Sequence, residues 1–355
     1  MRSLIKKFVA VILKELRSQM RGGRAFALLG AYLLLLIGFE WTIAKVFLVN
    51  SENMGAESYK MGFMLFTMLS LFQLLLISFL TPSFTAGAIS REKEQQTFDL
   101  LVVSEISPIS VILGKLVSSL GYVFLLIITS IPVMSTVFLF GSVSPEDFLA
   151  TFLILITTTI TFGSIGIFFS SLIRKTQIAT ALTYGTIMFL LVATLIGGSL
   201  VTTYMQRQYL MFQPGPPPKA ETLMDRKSYK VAKYLLRLSP VNAMTSITGM
   251  TPDVYGGYGD PYISNPYALL LIPMPQFQLE SMVMQSKVQQ GGMMQKEEKI
   301  ERPDWHYTVS IYLSVSALLL LISSRLLLPY HRWRIIRIPF LKKKYRSPPE
   351  AAAQL

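Results

Sequence analysis

Glu40 and Lys45 stand inside an apolar run long enough to cross a bilayer. Charge at the centre of a span costs about 2.5–3.5 kcal/mol on insertion scales and tends to be kept for function. Two readings are open: Lys45 snorkels to the headgroups with Glu40 as its partner, or Glu40 lines a pathway or subunit interface. Gly114-Lys115 invites comparison with a phosphate-binding loop, which needs glycine five residues before its Gly-Lys and Ser or Thr after it. Ile109 and Leu116 fill those places, so the nucleotide signature fails at both ends. The chain has no cysteine and only two histidines, His306 and His331. Disulfides, iron–sulfur clusters, thiolate zinc and multi-histidine metal centres are thereby excluded. Thioether clusters can bind Cu(I), but the ten methionines of residues 204–306 are irregularly spaced, and flexible apolar contact accounts for them better. That interval also lacks a paired-carboxylate or Ser/His arrangement. Neither a catalytic residue nor a metal ligand can be named.

Binding chemistry is better represented. Ser90–Lys115 reads SREKEQQTFDLLVVSEISPISVILGK, too polar to enter a membrane and too patterned for a casual loop. Thr97, Leu100, Leu101 and Ser104 mark one side of a short helix, with Phe98 also at helical spacing. Arg91, Glu92, Lys93 and Glu94 crowd its beginning, where acids suit the helix dipole. The spacing predicts an amphipathic helix at about 90–104, held beneath a bundle.

The elements that must hold this segment are membrane spans. Of 355 residues, 52% are hydrophobic and 15% charged, against roughly 25% charged in soluble domains. The shortage of charge is explained if lipid faces much of the protein. Five runs reach the ~20 residues that span a bilayer core: Ala25–Val49, Met61–Leu80, Ile109–Phe140, Phe148–Leu172 and Ile178–Thr203. A sixth, Tyr307–Leu328, follows a long polar interval. Pro132 predicts a kink, because its ring removes a helix hydrogen bond. Pro145, Glu146 and Asp147 suit a helix start. The small residues of the fourth run, Thr157 to Ser171, suit close helix packing. Residues 1–24 place apolar and basic side chains on opposite faces, as an interfacial helix does.

The net charge of +13 could suggest nucleic acid. The basic residues instead sit beside the ends of apolar runs, so a lipid bilayer is the partner and nucleic acid is not. Arg2 to Arg24, Arg91 and Lys93, Arg174-Lys175, and Arg332 to Arg346 all fall on one side. By the positive-inside rule both termini are cytoplasmic. The expected fold is an all-α integral membrane protein. Its six transmembrane helices follow the interfacial helix, with an extracytoplasmic segment at 204–306 and a basic tail at 330–355. Within 204–306, an extended Pro-rich linker at Pro214 to Pro218 precedes a second interfacial helix at Arg226 to Arg237.

Arg91-Glu92-Lys93-Glu94-Gln95-Gln96-Thr97-Phe98-Asp99-Leu100-Leu101, followed by Ser107-Pro108 and Gly114-Lys115, resembles the ABC-2 type permeases. In that family an amphipathic entry helix precedes six spans. The first cytoplasmic loop carries a Glu-x-Glu-x-Gly-Thr-x-Asp/Glu-x-Leu pattern. This chain departs from it at Gln96, where glycine is common, and at Ser104-Glu105, where Thr-Pro is common. The resemblance implies a transport subunit, an exporter in the plasma membrane, with Arg91, Glu92, Glu94, Thr97, Phe98, Asp99, Leu100 and Leu101 docking a cytoplasmic ABC ATPase. ATP and Mg would be bound by that ATPase, no cofactor by this chain, and a second permease subunit would complete a homodimer or heterodimer. Two other classes compete: an ion-driven carrier or channel without an ATPase, and a membrane-anchored enzyme or sensor working through 204–306. The first would need buried acids in several spans, where only Glu40 qualifies. Single cysteines at Ser228 and Ser347 should react with an impermeant thiol reagent from opposite sides of the membrane. Labelling of both from outside would contradict the six-span topology.

Overall fold

The computed structural model describes residues 23–50, 54–97, 108–140, 143–211, 234, 237–247 and 305–327. All regular structure among them is helical. The interfacial helix at 1–24 falls outside this set but for its last two residues. Helix α1 is Gly23–Asn50, α2 is Met54–Thr85 and α3 is the short Ser90–Glu94. Then come α4, Pro108–Thr129, and α5, Ile131–Ser135, followed by a 3-10 turn over Thr136–Phe140. Long helices α6, Pro145–Leu172, and α7, Thr176–Met211, precede α8, Pro240–Ile247, and α9, Trp305–Leu326. Six of these helices are long and apolar enough to cross a membrane, in the order the sequence predicts.

Local chemistry accounts for the boundaries. The third span is broken at Ser130, where the missing N–H of Pro132 ends α4 and leaves only α5 and a 3-10 turn to complete the crossing. Ser144 caps α6 by accepting the Asp147 N–H at 3.1 Å, with Pro145 at the first helical position. Between α6 and α7 only residues 173–175 intervene, the tight turn expected at Arg174-Lys175.

α6 is the most buried span and packs against α2, α4, α7, α8 and α9. Its small residues make that possible. A Cβ on Gly166 would overlap the Thr85 hydroxyl, with the Thr85 Cβ at 2.9 Å and the Ala86 backbone nitrogen at 3.2 Å. On Gly163 it would lie 2.8 Å from a Leu120 methyl. Hydroxyls inside the bundle bond to carbonyls one turn earlier, as Thr159 does to Leu155 at 2.7 Å, because no water is there to satisfy them. Across α6 and α9, Ser316 donates to the Thr161 hydroxyl at 3.0 Å. Leu34 and Trp41 on α1, Phe189 on α7 and Leu318 on α9 are exposed and make an apolar exterior.

Within the interval 204–306, all eight residues of α8 are buried. Ser239 starts the helix, accepting the Asn242 N–H at 3.2 Å, and Pro240 is its first residue. Tyr312 of α9 donates to the Leu238 carbonyl at 3.0 Å and Thr308 to the Arg237 carbonyl at 2.7 Å. α8 is thus held at the end of the bundle opposite the Arg174-Lys175 turn. The linker at 214–218, most of the interfacial helix expected at 226–237, and the methionine-bearing 281–299 lie outside the described residues.

Gly166→Ala should destabilise the purified protein by about 1–3 kcal/mol, the usual cost of overpacking. Gly185→Ala, with nothing within 4 Å of the new methyl, should be at least as stable as the parent. Thermal unfolding in detergent checks both, and equal melting temperatures would contradict the close approach of α2 to α6.

Candidate functional site

At the end of α2 the chain leaves the span through a turn at residues 86–89 and enters α3. A chain turning here brings backbone donors that need partners. Ile89, at the helix start, offers no side-chain cap. The hydroxyl of Ser170, in the last turn of α6, takes its place: it accepts the N–H groups of Ile89 at 2.8 Å and Ser90 at 2.9 Å. Ile89 itself is buried with Ile112, Leu116, Leu120, Ile167 and Leu327. The elbow is therefore anchored by both apolar packing and hydrogen bonds.

α3 ends in a Schellman arrangement. Thr97 N–H donates to the Glu92 carbonyl at 3.0 Å and Gln96 N–H to the Lys93 carbonyl at 3.4 Å. Gln96 occupies the left-handed region, with φ 58°. Glycine adopts that conformation without strain, and position 96 is where the resembled pattern commonly has glycine. Arg91 to Glu94 accordingly form a helical turn of their own, not the beginning of one continuous helix over 90–104. Thr97 is exposed, as is Arg91, and Phe98, Asp99, Leu100 and Leu101 lie outside the described residues.

The charged side chains of α3 reach three spans. Glu92 Oε1 lies 2.6 Å from the ammonium of Lys115, which is buried in α4. The Lys93 ammonium donates to the Ser171 carbonyl in the last turn of α6. Glu94 accepts from Thr176, the first residue of α7, through the backbone N–H at 3.0 Å and the hydroxyl at 2.6 Å. Helix ends leave such groups without intrahelical partners, and a cation at a C-terminus or an anion at an N-terminus complements the dipole. Lys93 and Glu94 satisfy both conditions across one three-residue turn. Glu94 is exposed at the end of α3.

Glu92 and Glu94, which the sequence reads as docking groups for a partner protein, have their carboxylates engaged within this chain. For Glu40 and Lys45 the sequence leaves two readings open. Glu40 accepts the hydroxyl of Thr136, at the 3-10 turn after Pro132, and the Lys45 ammonium lies 5.2 Å from the centre of the Trp41 ring. Sequence reasoning missed Lys115, Ser170, Ser171 and Thr176. Lys115 carried a usable signal, since a lysine well inside an apolar run requires a partner. The two serines and the threonine could not be separated from ordinary small-residue packing.

Residues 24–323 match the family described as ABC-2 family transporter protein. Comparison with curated proteins finds no match.

Breaking a buried ion pair costs about 3–5 kcal/mol because it strands one charge, whereas replacing both partners by apolar residues is often neutral. Lys115→Met should therefore lower the unfolding free energy by roughly 1–3 kcal/mol, below the full penalty because the Glu92 side chain left behind is partly exposed. Lys115→Met with Glu92→Met should recover most of that loss. Chemical denaturation in detergent checks the pair, and a double variant as unstable as the single one would contradict it.

Proposed function

The chain belongs to the ABC-2 transporter family, and from that premise we propose how this permease subunit works. It is an exporter subunit of the plasma membrane, paired with a second permease subunit and with two cytoplasmic ATPase subunits that bind ATP and Mg. Both termini and the α3 elbow face the cytoplasm, and the segment 91–101 meets the ATPase. One observation carries this reading: the elbow after α2 is joined by polar contacts to α4, α6 and α7 at the end of the bundle that holds Arg174-Lys175. A push on the elbow therefore reaches three spans.

The nucleotide sits on the partner in this reading. Gly114-Lys115 lies within α4, and its lysine is engaged by Glu92, so it offers no phosphate cradle. ATP closing the ATPase pair moves the elbows, and the bundles alternate between inward- and outward-open states. The contact itself is assigned to Phe98, Asp99, Leu100 and Leu101 together with exposed Arg91 and Thr97. Apolar anchors and one acid suit an interface in which a few buried groups supply most of the affinity. The buried α8 closes the far side, where alternation must open a path.

Phe98→Ala should weaken ATPase binding by about 2 kcal/mol, roughly thirtyfold in Kd, while membrane insertion is unchanged. Titration of the ATPase onto the permease in nanodiscs measures this. Affinity equal to that of the parent would refute Phe98 as an anchor.

A further inference from the structure

We propose that Lys93 and Glu94 are positioning residues, a two-headed clamp that makes the elbow and the α6–α7 turn move as one body. The inference rests on the reading of 91–101 as the segment the ATPase pushes, but assigns these two residues to transmission and not to docking.

Adjacent side chains of opposite charge reach the two ends of one turn. Lys93 holds the last turn of α6 through the Ser171 carbonyl. Glu94 holds the first residue of α7 through two hydrogen bonds, at 3.0 and 2.6 Å. The sign of each charge fits the helix end it meets, so exchanging the two would oppose both dipoles. Ser170 fixes the start of α3 at the same place by accepting from Ile89 and Ser90. A short helix held at its start and along its length by the same turn cannot shift without carrying that turn. α6 extends ~36 Å from Ser170 to Glu146 at 1.5 Å per residue, and it touches five of the other helices. Motion imposed at the clamp is thereby delivered to the opposite end of the bundle. Docking through Glu94 would demand that it give up both contacts to Thr176.

The native chain has no cysteine, so labels can be placed singly or in pairs. Spin labels at Gln95 and Gln177, both exposed, report the elbow-to-α7 distance in the full-length permease alone. Glu94→Ala and Thr176→Val should each broaden that distribution at least twofold, and Thr176→Ser, which keeps the hydroxyl, should not. In the complex with its ATPase, a bimane at position 146 reports the far end of α6. Addition of ATP and vanadate should change its emission in the parent and at least fivefold less in Glu94→Ala, with ATPase affinity within twofold of the parent. Unchanged distances in Glu94→Ala overturn the clamp. Loss of the ATPase from Glu94→Ala with distances unchanged does the same and makes Glu94 a docking residue. A parent permease that binds no ATPase defeats the proposed function instead, and the distance measurement on the permease alone still decides the clamp.

Discussion

A backbone that turns beside a membrane-embedded bundle brings its N–H and C=O groups with it, and the protein has to match them. The elbow after α2 meets that demand with the ends of other helices. Ser170 serves two donors of α3, and the side chains of α3 serve an acceptor of α6 and a donor of α7. The arrangement is possible because α6 and α7 are separated by only three residues, which puts an unpaired carbonyl and an unpaired amide within reach of one helical turn. Satisfying local polarity and joining separate spans are then the same set of contacts.

Close packing extends that joint into the bundle. Gly166 brings α6 against Thr85 and Ala86 where α2 ends, and Gly163 admits Leu120 of α4. Interiors packed at this density respond by moving as blocks instead of deforming. The break at Ser130 interrupts the third span on the other side of the bundle. There Gln73 of α2 donates to the Ser130 hydroxyl at 2.6 Å, so the broken helix is fastened to the same span that carries the elbow. α8 fills the far end. In the proposed alternation between two openings, α6 would be the stiff element that carries motion and α8 the closure it displaces.

The spans, the kink at Pro132 and the short 173–175 turn were legible in the sequence because each follows from length, apolarity or a missing N–H. Burial of α8 was not legible. Ser239-Pro240 signals a helix start, but Val241 to Ile247 is too short and too mixed in polarity to reveal which side it faces. The site was half legible. Charge density and spacing drew attention to Arg91–Leu101, yet charge alone cannot tell a docking acid from one already paired within the chain. That difference depends on Lys115 and Thr176, which lie 23 and 82 residues away from their partners Glu92 and Glu94. Gln96 shows the opposite case: one of the places where the chain departs from its family's pattern has positive φ. The pattern there reflects backbone conformation, and the turn persists with glutamine.

The central claim is that the segment following α3 touches the ATPase while α3 itself is held by the bundle. A photoreactive benzoyl-phenylalanine tests this when it replaces Phe98 in one sample and Gln95 in another, each in the assembled complex. Irradiation should join position 98 to an ATPase subunit, and mass spectrometry should place the adduct in a cleft of that subunit. Position 95 should yield markedly less. The account is contradicted if position 98 joins only lipid or the permease itself while the ATPase remains bound.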